Sequence, residues 1–228
     1  MKLIKPYYEI LTPINGDEIL KTIEKISRTC YKSEDKITEN SAQKMIKSLI
    51  IKGHEAMIEF FDITVKFICD RGVSHEIVRH RLASYAQEST RYCNYSKKII
   101  ETIRGKENHI QFIIPCWLNI PEHICDSKND IAKINDENIK LWMNAMFEAE
   151  IYYNTLIGVQ KWQPQQARSV LPNSLKTEIN VKMNLREWKH FFKLRTSPAA
   201  HPQMREIAIP LLIELKYKIP IIFDDIII

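Results

Sequence analysis

The sequence predicts an α+β fold in one domain, and three observations carry that prediction. Strand-like alternation appears at widely separated points, first as Phe61, Ile63, Val65, Phe67 and Cys69 and again over residues 177–183. Helical periodicity fills the stretches between them, and those stretches are unequal in length, which does not suit the regular repeat of a doubly wound sheet. The 228 residues, 45% of them hydrophobic, contain no linker, internal repeat or composition shift, so residues 1–228 are expected to share one core.

Taken in order, residues 2–12 have extended character. Residues 17–30 read as a helix capped by Asp17, because Ile19, Leu20, Ile23 and Ile26 recur at helical spacing. Residues 41–52 form a second helix, with Ala42, Met45, Ile46, Leu49 and Ile50 on one face and Gly53 as the stop. The alternation over 60–70 is the first long strand, and a short helix follows over 73–82. Residues 84–97 are polar and irregular. A second strand is expected over 111–117 and a long helix over 135–162, with Pro164 beyond it. A third strand over 177–183 and helices over 185–194 and 202–215 complete the chain.

Composition excludes several function classes. The formal net charge of +5 suits anionic ligands but lacks the concentrated patch of a dedicated nucleic-acid binder. No stretch approaches the ~18 apolar residues of a membrane span, and the start, with Lys2, Lys5 and Pro6, lacks the apolar core of a signal peptide. The five cysteines are odd in number and form no C-x-x-C, so free thiols in a reducing cytoplasm are expected. Cys30 and Cys93 read as small buried apolar groups rather than nucleophiles. The five glycines, Gly16, Gly53, Gly72, Gly105 and Gly158, fit neither G-x-G-x-x-G nor a Walker loop. Any nucleotide or flavin must therefore be held by side chains, arginine first among them.

The densest polar segment runs over residues 76–92, with three arginines, a histidine and several hydroxyls. Arg79 and Arg81 are two apart, so on a helix they point to opposite sides. Ser89-Thr90-Arg91 adds hydroxyl and backbone donors and a third guanidinium, a set that suits a phosphate monoester. On residue types alone the segment reads more readily as a solvated basic helix followed by a loop. His75-Glu76 with His80 imitates the H-E-x-x-H zinc motif, but the second histidine falls five residues later rather than four and misses the shared face. No metal site is expected. Ser89 has no adjacent general base and reads as a binding group. His54 and His109 read as structural, and Trp117, Trp142, Trp162 and Trp188 as core or interface anchors.

Arg79-His80-Arg81, seven residues and then Ser89 resembles the signature of the flavin-dependent thymidylate synthases. The flanks Gly72-Val73-Ser74-His75-Glu76 and Gln87-Glu88-Ser89-Thr90-Arg91-Tyr92 resemble that family too, as do residues 53–59, Arg168-Ser169-Val170-Leu171-Pro172 and Asn184-Leu185-Arg186 through His190 to Arg195. The resemblance runs over about residues 27–206. It implies mixed helices around an antiparallel sheet, a homotetramer with sites shared between subunits, and FAD as cofactor. The implied reaction converts dUMP to dTMP, with methylenetetrahydrofolate supplying carbon, NADPH reducing the flavin, and tetrahydrofolate released.

Carried over by position, the resemblance assigns Glu76, Ile77, Val78, Arg79, Gln87, Glu88, Ser89, Thr90, Arg91, Arg168 and Arg195 to dUMP. It assigns Ala56, Glu59, Arg79, His80, Arg81, Gln87, Asn184, Leu185, Arg186 and His190 to FAD. Arg195 is the implied catalytic group, set beside the uracil ring to favour ionisation of its imide. Ala56 stands where many relatives have a hydroxyl, His190 where some have Asn, and Thr90 where some have Gly, so that Thr90 is expected to crowd the phosphate. Two rivals come from other classes: an RNA- or DNA-binding module using Arg79, Arg81 and Arg91, whose affinity would fall steeply with salt, and a family member that has lost activity and serves as a structural assembly.

Overall fold

The computed structural model describes residues 1–96 and 109–228. Gly105 and the last residue of the polar stretch 84–97, Lys97, lie outside the described residues. Along the chain the elements are β1 (Lys2–Ile4), β2 (Tyr7–Ile10), α1 (Gly16–Thr29), α2 (Ser41–Ile51), β3 (Asp62–Asp70), α3 (Arg71–Ile77), β4 (Ser84–Gln87) and β5 (Gln111–Ile113). There follow β6 (His123–Ile124), α4 (Lys128–Ala132), α5 (Glu137–Gly158), α6 (Pro164–Ala167), β7 (Lys176–Asn184), α7 (Leu185–Arg195) and α8 (Pro202–Lys218). Among the described residues there are two sheets, one ordered β5-β1-β6 and one ordered β2-β3-β7-β4. The chain groups into two compact units: Met1–Tyr7, Ile68–Glu76 and Gln87–Ile179 make the first, and Tyr8–Phe67, Ile77–Ala86 and Asn180–Ile228 the second.

In the first unit β1 pairs parallel with β5, Leu3 opposite Phe112, and antiparallel with β6, Leu3 opposite His123. The mixture of helix and antiparallel pairing agrees with expectation; the parallel β1–β5 pair does not, because β5 returns only after a long crossover. Leu3, Phe112, Met143 and Tyr153 anchor this core. Helix α5 starts where Asp136 Oδ1 accepts the Asn138 and Ile139 amides at 2.9 and 3.2 Å. It stops at Gly158, short of the expected 162, and Lys161 beyond it holds a positive φ of 61°.

In the second unit β3 buries Ile63, Val65 and Phe67 completely. Helix α7 supplies Trp188, Phe191 and Phe192 to the same core, with Trp188 and Phe192 stacked at 5.7 Å between ring centroids. The Trp188 indole donates to the Ile63 carbonyl at 3.0 Å, which satisfies its one polar atom. This cluster holds α7 rigidly, and α7 carries much of the site.

Several local expectations need correction. The cap of α1 is Asn15, whose Oδ1 accepts the Glu18 amide at 3.3 Å, because the helix begins at Gly16 and places Asp17 in its first turn. Helix α3 covers Arg71–Ile77 rather than 73–82. Asp70 starts it by accepting the Val73 amide at 2.7 Å. The Tyr85 hydroxyl lies 3.0 Å from the Ile77 carbonyl and also meets that of His80, so a side chain replaces the next helical turn. Strand β4 forms inside the stretch expected to be irregular. Cys30 and Cys116 are exposed and Cys93 is half-buried; only Cys69 and Cys125 are buried. Among the described residues no helix is long and apolar enough to cross a membrane.

Candidate functional site

The turn after α3 projects Arg79 and Arg81 outward and His80 inward. Both arginines are exposed, whereas His80 retains 4% of its surface. Because α3 ends at Ile77, this run lies on a turn, and the helical spacing that would set Arg79 and Arg81 on opposite sides does not apply to it. His80 Nδ1 lies 3.2 Å from Glu187 Oε1, and its Nε2 accepts Arg195 Nε–H at 3.1 Å. Burial first, then the Arg195 guanidinium and His190, hold the His80 imidazole down to about 4. The ring therefore remains neutral at physiological pH.

Helix α7 places the remaining groups of this unit. Asn184 caps it by accepting the Glu187 amide at 2.9 Å. Leu185, Trp188, Phe191 and Phe192 are buried, leaving Arg186, His190 and Lys193 on the outer face at helical spacing. That face borders a cavity of about 590 Å³, with Leu82, Asn184 and Glu59 on its walls. Arg186 pairs with Glu59 at 2.5 Å. Buried Lys189 reaches Glu55 at 2.7 Å and Asp225 at 3.2 Å. The volume falls in the range of ligand sites, but the wall sets Arg186, Lys189 and Lys193 against Glu55, Glu59 and Glu187 and its cations are ion-paired, so a cofactor phosphate there would have to take exposed Arg186 over from Glu59. Of the residues assigned to FAD, Ala56, Glu59, Arg79, Arg81, Arg186 and His190 are exposed, whereas the Leu185 side chain is in the core.

In the first unit Ser89, Thr90 and Arg91 form a tight turn. The Tyr92 and Cys93 amides bond to the Ser89 carbonyl at 3.2 and 2.9 Å, and Ser89 Oγ accepts the Arg91 amide at 3.3 Å. Arg168 Nη1 donates to Thr90 Oγ1 at 3.1 Å. Thr90 is buried, and its hydroxyl faces Arg168. Behind the turn, Lys176 pairs with Glu88 at 3.2 Å. The Gln87 amide nitrogen donates to Ser74 Oγ at 2.9 Å and Thr177 Oγ1 at 3.2 Å. Ile77, in the second unit, has no exposed surface, and its carbonyl already accepts from the Tyr85 hydroxyl and the His80 amide.

Glu187, Tyr85 and Lys176 are the polar partners that sequence reasoning missed. Glu187 sits three residues after the cap Asn184, the spacing of a helix-start acid, which hides any other role. His80, Glu187 and His190 also bring three potential ligand atoms within 4.8 Å of one another. Both nitrogens of the His80 ring are already engaged, one by a guanidinium, which does not suit a cation at that point.

The family profile described as thymidylate synthase complementing protein matches residues 14–221. A Pyrococcus furiosus protein named flavin-dependent thymidylate synthase is 33% identical over 184 residues, covering 80% of this chain. The match spans 66% of that relative, just under two thirds of its length. One of the same name from Corynebacterium glutamicum is 27% identical over 219 residues, covering 94% of this chain and 81% of its own. Among solved structures, the UMP/dUMP methylase PolB from Streptomyces cacaoi aligns with a TM-score of 0.70 at 17% identity, over 98% of this chain and 95% of that one. The flavin dependent thymidylate synthase ThyX from Helicobacter pylori, complexed with FAD and dUMP, aligns at 0.68 and 19% identity, over 99% and 100% of the two chains. These two likenesses establish a shared fold. With the family profile spanning nearly the whole sequence, the chain belongs to the thymidylate synthase complementing protein family, that of the flavin-dependent thymidylate synthases.

Proposed function

We propose that this protein converts dUMP to dTMP, taking carbon from methylenetetrahydrofolate and releasing tetrahydrofolate. FAD, reduced by NADPH, supplies the hydride that completes the new methyl group. The observation that carries this reading is Arg195, held by buried His80 of the arginine-histidine-arginine turn, in a chain of this family. The relatives' names and the ligands of the Helicobacter pylori structure support the substrate and cofactor.

In this reading Ser89, Arg91 and Arg168 bind the dUMP phosphate, with Thr90 steadying Arg168. Glu76, Ile77, Val78, Arg79, Gln87 and Glu88 complete the nucleotide contacts. Arg195 stays protonated at any working pH and stabilises the imide anion of the uracil ring. An electron-richer ring attacks an electrophilic carbon without a covalent enzyme nucleophile. Ser89 fits that picture, since its oxygen serves the turn. Arg79, Arg81, Asn184, Arg186 and His190 hold FAD, with Ala56, Glu59, His80, Gln87 and Leu185 lining it. The chain acts as one functional domain, and the assembly is a homotetramer whose subunits share sites.

Release of tritium from dUMP labelled at the methyl-accepting ring carbon tests the reaction. Release that depends on FAD, NADPH and methylenetetrahydrofolate is expected. A FAD-loaded, folded protein that releases none would refute the activity. A colourless protein with strongly salt-dependent affinity for RNA or DNA would favour the nucleic-acid module instead.

A further inference from the structure

We infer that Glu187 is a positioning residue for Arg195, acting through the His80 ring. The inference deepens the proposed function, and rests on it only for the consequence at uracil.

Arg195 Nε always carries a proton and can only donate. It lies 3.1 Å from His80 Nε2, so that nitrogen must be the acceptor. The single ring proton of a neutral imidazole then sits on Nδ1, 3.2 Å from Glu187 Oε1. One tautomer satisfies all three groups; the other sets two N–H groups facing each other at Arg195 and leaves the carboxylate without its donor. Two of the three groups are buried, His80 at 4% and Glu187 at 7% of their surfaces, so water does not relieve a mismatch.

The three groups are also held from outside. The Tyr85 hydroxyl fixes the His80 backbone, and Asn184 caps the turn that carries Glu187. Phe191 walls one side of the imidazole at 4.9 Å between centroids, and the His190 ring meets it edge-on at 5.6 Å between centroids. A carboxylate on Nδ1–H makes Nε2 a stronger acceptor, as it does for ligating and catalytic histidines. Fixing the Nε–H of a planar guanidinium fixes its plane, and hence the aim of its two terminal amino groups. One carboxylate, one neutral ring and one guanidinium also leave the buried relay without net charge. Its purpose is orientation: Glu187 sets the tautomer, the tautomer sets the ring's acceptor, and the acceptor sets the Arg195 fork.

The test uses FAD-loaded protein labelled with ¹⁵N-histidine, with the His80 signals assigned by their loss in His80→Gln. Ring nitrogen shifts report which nitrogen carries the proton. The expected result is His80 protonated on Nδ1 in the wild type and in Glu187→Gln, whose amide oxygen still accepts, with kcat reduced no more than about tenfold. In Glu187→Leu the Nδ1–H tautomer should no longer dominate, and kcat should fall on the order of 10²-fold, as for a misaimed catalytic group. The KM for dUMP and the FAD affinity should change less than about threefold in either variant. His80 protonated on Nε2 in the wild type would overturn the relay whatever the activity, and that readout stands even if Glu187→Leu fails to fold or the proposed reaction is wrong. A Glu187→Leu protein with wild-type kcat would overturn the positioning role.

Discussion

Acidification should destabilise this protein through His80 in a way that a single substitution removes. Burial, with Arg195 and then His190, holds the folded imidazole at about 4. The unfolded chain takes up the same proton near pH ~6.5. Between those values the unfolded state binds more protons, so stability falls as pH drops through the window and levels off below pH ~4. The full displacement corresponds to about 3 kcal/mol, and the descent from pH 7 to 5 to about 2 kcal/mol. Glu187 opposes part of this. Burial raises its folded carboxyl, against a smaller lowering by His190, so its proton uptake favours the folded state as pH falls. His80→Gln keeps a similar volume and an amide that bonds both neighbours but does not titrate. Urea unfolding followed by tryptophan fluorescence, at fixed protein concentration and pH 7, 6 and 5, should show the wild type losing about 1–2 kcal/mol more than His80→Gln. Parallel losses in the two proteins would show that His80 is not held neutral by its surroundings, and would refute the reasoning.

Thr90→Val preserves shape but removes the acceptor of Arg168; because Arg168 is exposed and water replaces the bond, calorimetry should show dUMP binding weakened only about 3- to 10-fold, with FAD binding unchanged. Arg195→Ala should leave bleaching of the flavin by NADPH intact and slow turnover on the order of 10²-fold, with Arg195→Lys intermediate because it keeps charge without the planar fork; a normal turnover rate in Arg195→Ala would exclude the imide role. Gly16→Ala should destabilise the fold by about 1–3 kcal/mol in thermal or urea unfolding, since a Cβ there would stand 2.2 Å from the Lys218 carbonyl oxygen and only backbone movement can relieve it. Subunits inactivated separately at Arg81 and Arg186 should recover part of their activity when reassembled together, and verified hybrids without recovery would count against shared sites.

Most elements were legible because one apolar face suffices to announce them. The alternation of Ile63, Val65 and Phe67 and the helical spacing of Ile19, Leu20 and Ile23 each reflect burial that the structure contains. The motif from Arg79 to Ser89, a local string, also pointed to the family later matched over residues 14–221. What failed depended on contacts outside the regular helical and strand spacings. Helix α3 ends early because Tyr85 takes the carbonyls that another turn would have used, and strand β4, four residues from Ser84 to Gln87, is too short to show an alternating apolar pattern. Cys30 is exposed although its residue type favours burial. Glu187 shows the limit most plainly. Its position after Asn184 marks it as a helix-start acid, and local patterning says no more. Its meeting with His80 spans 107 residues, and that of His80 with Arg195 spans 115. The sequence by itself determined which groups are present and which stretches coil or extend, because those depend on neighbours a few residues away. Only the tertiary structure decided which nitrogen of His80 accepts and what Arg195 leans on, because a buried hydrogen bond is set by whichever distant atoms packing brings to its ends.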